Sequence, residues 1–151
     1  MFVRAVSTIR PVAAQASEPA KEGKKNETPL TRAAAKGDVA EVRMLLDQGA
    51  DVNKKTESGV TALMIAAGMN HTQVVQLLIS QKADVNASSP GGYTALMSAA
   101  LNGHADAVKV LLENGAEANA RDSSGRTVLK YAESKDHKEV IELLKKAGAR
   151  E

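Results

Sequence analysis

Neither cysteine nor tryptophan occurs in the 151 residues. The first absence excludes disulfides, thiolate metal sites and thiol nucleophiles, and it leaves the redox compartment open. Aromatic residues make up 2%, one Phe and two Tyr. The core must therefore be built from Leu, Ile, Val, Met and Ala. So few rings also argue against a base-stacking platform, an aromatic cage or a sugar-stacking site. No run of 18 apolar residues is present, so no segment has the length and polarity of a membrane-spanning helix. Charge of one sign is scarce as well. The net charge is +2, and residues 1–25 hold five basic side chains against two acidic ones. The remaining 126 residues carry 15 basic and 16 acidic side chains, a near-neutral body without the footprint of a nucleic-acid binder.

What is present repeats. Thr28, Thr61, Thr94 and Thr127 recur every 33 residues, and the residues between them recur in step without an insertion. The segments read TPLTRAAAKGDVAEVRMLLDQGADVN, TALMIAAGMNHTQVVQLLISQKADVN, TALMSAALNGHADAVKVLLENGAEAN and TVLKYAESKDHKEVIELLKKAGAR. A fixed period of this length marks stacked supersecondary units. Each Thr precedes a helical pattern, so its hydroxyl is predicted to cap the helix by accepting from an orphan N–H. Pro29 suits the first helical position, which Ala62, Ala95 and Val128 hold elsewhere. Leu30, Leu63, Leu96 and Leu129 pair with Ala33, Ala66, Ala99 and Ala132 three residues on, giving one apolar face with room for a close neighbour.

Nine residues after each Thr stands Gly37, Asn70, Gly103 or Asp136, types that tolerate a left-handed backbone and so predict a chain reversal. A second amphipathic helix follows, carried by Val42-Leu45-Leu46, Val75-Leu78-Ile79, Val108-Leu111-Leu112 and Val140-Leu144. It ends at Gly49, Lys82, Gly115 or Gly148; Lys82 is the departure, costing about 1 kcal/mol wherever its φ is positive. Polar stretches such as ADVNKKTESGV return the chain to the next Thr, with Gly59, Gly92 and Gly125 marking a hairpin turn. One such unit cannot bury its face alone, so the units must stack. Glu133 replaces Ala67 and Ala100, Lys145 replaces Ile79 and Leu112, and Glu41 stands where later repeats have Val74, Ala107 and Val140. These polar substitutions at both ends predict a complete array, divided at about 26–57, 58–90, 91–123 and 124–151.

On the period, T-[PA]-L, the A-A pair, G-H or N-H, the V-V/L-L helix and G-A-D-V-N, the chain resembles the ankyrin-repeat family over roughly residues 26–151. The family's T-P-L-H histidine is replaced by Thr31, Met64, Met97 and Lys130, so a hydrogen bond between neighbouring units is expected to be missing or remade. The resemblance implies an all-α repeat solenoid of helix-turn-helix units with projecting β-hairpin loops. It also implies protein binding through the hairpin tips and the concave face of the first helices.

Candidate chemistry is sparse. His71, His104 and His137 fall 33 residues apart at one repeat position. Helices stacked about 8–10 Å apart hold such rings too far apart to share a zinc, whose ligands lie about 2 Å from it. Their expected role is to start the second helix, and no metal or other cofactor is expected. Asp51, Asp84 and Glu117 recur in register near Asn53, Asn86 and Asn119 and are expected to bond loop amides. No phosphate loop, G-x-S-x-G or H-E-x-x-H occurs, so the chain is not expected to be an enzyme.

A partner surface remains. The residues before each Thr, the hairpin tips and the ends of the first helices are expected to be exposed. Val60, Met69, Tyr93 and Leu101 are apolar or aromatic where the fold would accept polar residues. They predict a stripe along the inner face, flanked by Arg121, Arg126 and Lys135, with Lys36, Lys55, Glu57 and Asn102 completing the candidate set.

Residues 1–27 do not follow the repeat. Arg4 and Arg10 without an acid in 1–17, and Phe2, Val6 and Ile9 on one helical side, fit a mitochondrial-type presequence. Ala14-Gln15-Ala16 hints at a secretory cleavage site, although Arg10 and Pro11 interrupt the apolar core such a signal needs. EPAKEGKKNE reads as a disordered tail, the favoured reading of 1–25. The expected location is the cytoplasm, or an export or mitochondrial route if the segment is a targeting peptide. The whole reads as a monomeric protein-interaction module, an adaptor, inhibitor or stabiliser with a protein partner and no nucleic acid or membrane. The alternative is a structural spacer or assembly subunit.

Overall fold

The computed structural model describes residues 26–151, and the readings of residues 1–25 lie outside the described residues. The described residues form four helix pairs: α1 (Pro29–Lys36) with α2 (Val39–Asp47), α3 (Ala62–Gly68) with α4 (Thr72–Ser80), α5 (Ala95–Leu101) with α6 (Ala105–Glu113), and α7 (Val128–Glu133) with α8 (Lys138–Lys146). First helices pack on first helices in the order α1, α3, α5, α7, and second helices likewise form an outer row.

Every first helix starts as its sequence dictates. Thr28, Thr61, Thr94 and Thr127 sit in extended backbone, and each hydroxyl accepts from the N–H three residues on. At Thr28 the cap is reciprocal, because Thr31 Oγ1 also accepts from the Thr28 N–H at 2.8 Å. This is one fate of the missing T-P-L-H histidine. At the equivalent positions Met64 and Met97 are 3% and 0% exposed, so packing replaces a polar contact there.

The turn between helices is left-handed at Gly37, Asn70, Gly103 and Asp136, with φ of 73°, 59°, 71° and 54°. Lys82 likewise takes φ 72° where the other repeats carry glycine. The core runs the length of the stack between the rows. Leu63, Leu96, Leu78, Leu111 and Leu144 are almost wholly buried, and Ala33, Ala66, Ala99 and Ala132 let the first helices close up.

The projecting loops are tighter than β-hairpins. No strand forms among the described residues, only the isolated bridges Ser88–Thr94 and Arg121–Thr127. In each loop Thr56, Ser89 and Asp122 N–H donate to Val60, Tyr93 and Arg126 carbonyls at 2.9, 3.0 and 3.0 Å, and the Gly59, Gly92 and Gly125 N–H groups donate back to the Thr56, Ser89 and Asp122 carbonyls. Three residues between the bonded pair leave no length for a ladder.

An asparagine row joins the repeats at this edge. Asn53 Nδ2 donates to the Lys82 carbonyl while its Oδ1 accepts from Asp84 N–H. Asn86 bridges Gly115 and Glu117 in the same way, and Asn119 bridges Gly148 and Arg150. Asp51 and Asp84 accept from the amides of Asn53 and Asn86, as their spacing predicts. Glu117 departs from that expectation: its N–H donates to Asn86 as Asp84's does to Asn53, but among the described residues its carboxylate holds no loop amide, since a glutamate is one methylene too long for the short turn.

Candidate functional site: the concave face

Two adjoining grooves cross the face of the first helices. One, of about 450 Å³, lies between the first and second repeats and includes Arg32, Ala35, Lys36, Val60 and Ile65. The other, of about 330 Å³, lies between the second and third. It brings together Val60, Met69, Tyr93 and Asn102 from the candidate set, with Met64, Ile65, Gly68 and Ser98 added by the fold. Val60 and Ile65 wall both grooves.

The second groove owes its depth to a missing side chain. A Cβ on Gly68 would collide with Ser98 Oγ, so a side chain there would require the serine hydroxyl to turn away from α3. Met69 stands at the rim, 54% exposed. Asn102 Nδ2 donates to the Ser98 carbonyl at 2.8 Å, which fixes the amide at the end of α5.

Several candidates are less free than their sequence context suggests. Val60, Tyr93 and Leu101 are half-buried rather than exposed. For Tyr93 the reason is Tyr131 of the next repeat, whose ring meets it edge-on at 5.5 Å and 76°. Leu101 packs against the core and is not part of either groove. Two cations at the loop tips are engaged within the chain: Lys55 Nζ donates to the Ser88 carbonyl at 2.8 Å, and Arg121 to the Gly125 and Glu151 carbonyls. Glu57, Arg126 and Lys135 are exposed. Lys36 is exposed too and lies 3.7 Å from Glu41, a surface pair of small consequence.

Two of the three histidines join neighbouring repeats. Nε2 of His71 and His137 donates to the Ala35 and Leu101 carbonyls of the preceding repeat, at 3.1 and 2.9 Å. A carbonyl only accepts, so these rings carry the Nε2 proton. Each ring fills space that a Cβ on Gly37 or Gly103 would occupy. By repeat register His104 stands opposite Asn70 instead of a glycine, and it makes no corresponding bond among the described residues.

At the far end of the face, spacing gave no warning of a polar cluster. Tyr131 O–H donates to Asp122 Oδ2 at 2.5 Å, and the Arg126 guanidinium lies 5.0 Å over the Tyr131 ring. The Tyr131 hydrogen bond, then the Arg126 amide, hold the Asp122 carboxyl below its usual range. Burial, then Asp122, pushes the Tyr131 phenol up to about 12. Burial also raises Tyr93, against a smaller opposing effect of the Ser98 hydroxyl. A phenol raised in the fold contributes stability that is whole below its unfolded pKa, about 10, and is lost as pH climbs toward 12. Tyr131→Phe should therefore flatten the alkaline fall of the urea midpoint between about pH 10 and pH 12. An alkaline limb identical to that of the unaltered protein would remove Tyr131 as its source.

Residues 7–89 match a family model described as ankyrin repeats in three copies, and residues 78–132 match one of ankyrin repeats in many copies. The chain belongs to the ankyrin-repeat family. No curated protein matches it. Ankyrin repeats generally serve as protein–protein interaction modules, and proteins built from them are typically non-enzymatic scaffolds. Among the described residues, no helix of this ankyrin-repeat protein is long and apolar enough to cross a membrane.

Proposed function

We propose that this chain binds a partner protein through its concave face and loop tips, acting as an adaptor, inhibitor or stabiliser. The observation that supports this reading is the groove walled by Val60, Met69 and Tyr93, with an exposed methionine at its rim. An exposed thioether beside half-buried apolar and aromatic side chains is a ready anchor pocket, because methionine adapts to whatever enters. The ligand is a protein rather than a nucleic acid or a membrane, since the repeat body is near neutral. The chain works as a monomer in the cytoplasm.

A spacer or assembly role is the second reading, and Met44 speaks for it. This residue of α2 is 46% exposed, whereas Leu77, its equivalent in the next repeat, is 7% exposed. Affinity capture with the full chain, quantified by mass spectrometry, separates the two. Met69→Asp should lower recovery of the main captured protein at least tenfold with the melting temperature unchanged, while Met44→Asp leaves recovery intact. The reverse pattern would sink the concave-face reading and leave the assembly reading standing.

A further inference from the structure

Charge on the concave face is ordered by repeat. Eight residues after each capping Thr stand Lys36, Met69, Asn102 and Lys135, all four exposed. One residue before each Thr stand Glu27, Val60, Tyr93 and Arg126. Four residues after it stand Arg32, Ile65, Ser98 and Tyr131. The two inner repeats thus place no charge in these rows, and all the charge stands at the two ends.

Those ends are weighted toward cations. Glu27 pairs with Arg32 at 3.5 Å, which neutralises the acid of the first repeat. Lys36 lies 3.7 Å from Glu41, which offsets part of its charge, but its side chain is the more exposed of the two, at 59% against 33%. At the other end the Asp122 carboxylate is only 8% exposed, whereas the Arg126 side chain 4.0 Å from it is 53% exposed. Lys135 has no ion pair among the described residues. A ligand lying along this face meets a cation, an uncharged apolar groove, and then cations again.

Resting on the concave-face reading above, we infer that the partner presents an extended segment with one apolar anchor at its centre and a carboxylate toward each end. The anchor enters the groove between the second and third repeats, midway between Lys36 and Lys135. Repeats lie about 10 Å apart, so each cation stands about 15 Å from the groove. An extended chain advances about 3.3 Å per residue, which puts each carboxylate four or five residues from the anchor. Asn102 adds a main-chain contact. Its Nδ2 is spent on the Ser98 carbonyl, and its Oδ1 is left to accept an N–H of the ligand. The same arrangement rejects basic segments, because like charges would meet at both ends.

The test is an NMR titration of the isotope-labelled full chain with three synthetic undecapeptides. The first carries a central leucine, aspartate at both termini, serine and glycine elsewhere, and blocked ends. In the second, lysines replace the aspartates; in the third, serine replaces the leucine. The first peptide should shift the amides of Lys36, Gly68, Met69, Asn102 and Lys135. The second and third should each bind at least tenfold more weakly. Lys36→Gln/Lys135→Gln, at two exposed positions, should weaken the first peptide about fivefold, in line with two surface ion pairs. A lysine peptide that binds as well as the aspartate peptide overturns the inference while leaving the concave reading intact. Shifts confined to α2, α4, α6 and α8 overturn both. Silence from all three peptides at millimolar concentration overturns the inference alone, and the Met69→Asp capture then decides the broader reading.

Discussion

Leu96→Ala is expected to lower the unfolding free energy by about 3 kcal/mol, the largest loss of any single truncation on the inner row. Leu96 is 1% exposed on α5, the helix that packs against α3 on one side and α7 on the other. Truncation opens a cavity in the middle of the stack, where neighbours on both sides are held and cannot collapse into it. Leu30 is as well buried, at 3%, but α1 packs against a first helix on one side only among the described residues. The same truncation at Leu30 is therefore expected to cost about half as much, since the end repeat can relax or fray. For an array of this length the central truncation should lower the melting temperature by about 10 °C. Urea unfolding of both variants checks the ratio. Equal losses would mean that the stack does not behave as a row of nearest-neighbour interfaces.

The features legible in the sequence are those that one repeat settles within itself. The threonine caps, the Leu/Ala face, the left-handed turn and the short second helix each depend on residues within about ten positions, and four copies in register reinforce one another. The polar end substitutions were legible for the same reason. The obscure features depend on how one repeat sits against the next. Asn53 reaches the carbonyl of Lys82 and His137 that of Leu101, 29 and 36 residues away. Nothing in either local stretch marks those partners. Tyr93 looked free because the residue before a cap is usually exposed; the tyrosine that covers it lies one repeat on, at Tyr131, where the other repeats carry Arg32, Ile65 and Ser98. Gly68 was the one readable clue to the groove, a side chain missing in register with Ala35, Leu101 and Ser134.

The groove lies at the one junction of the three where the histidine bond between repeats is missing among the described residues. There, between the second and third repeats, His104 stands opposite Asn70 by repeat register and lacks the bond made by His71 and His137. A repeat stack couples each unit only to its neighbours, so the loss of one such bond is felt at that junction first.

Two opposite substitutions measure the histidine bond between repeats, one at the junction of the third and fourth and one at that of the second and third. Gly103→Ala is expected to cost about 2–3 kcal/mol. Its φ of 71° is expensive for a side chain, by about 1–2 kcal/mol. The new Cβ would also stand 2.5 Å from Nδ1 of His137, forcing the ring off the Leu101 carbonyl and forfeiting about 1 kcal/mol of hydrogen bond. Asn70→Gly runs the other way, with an expected gain of about 0.5–1 kcal/mol. It relieves φ 59° at a residue with a side chain and clears the space into which His104 can reach the Gly68 carbonyl. His104→Ala separates the two contributions: added to Asn70→Gly it should remove the histidine's share and leave only the backbone relief. If Asn70→Gly destabilises, or if its gain survives intact without His104, the imidazole is not what locks one repeat to the next.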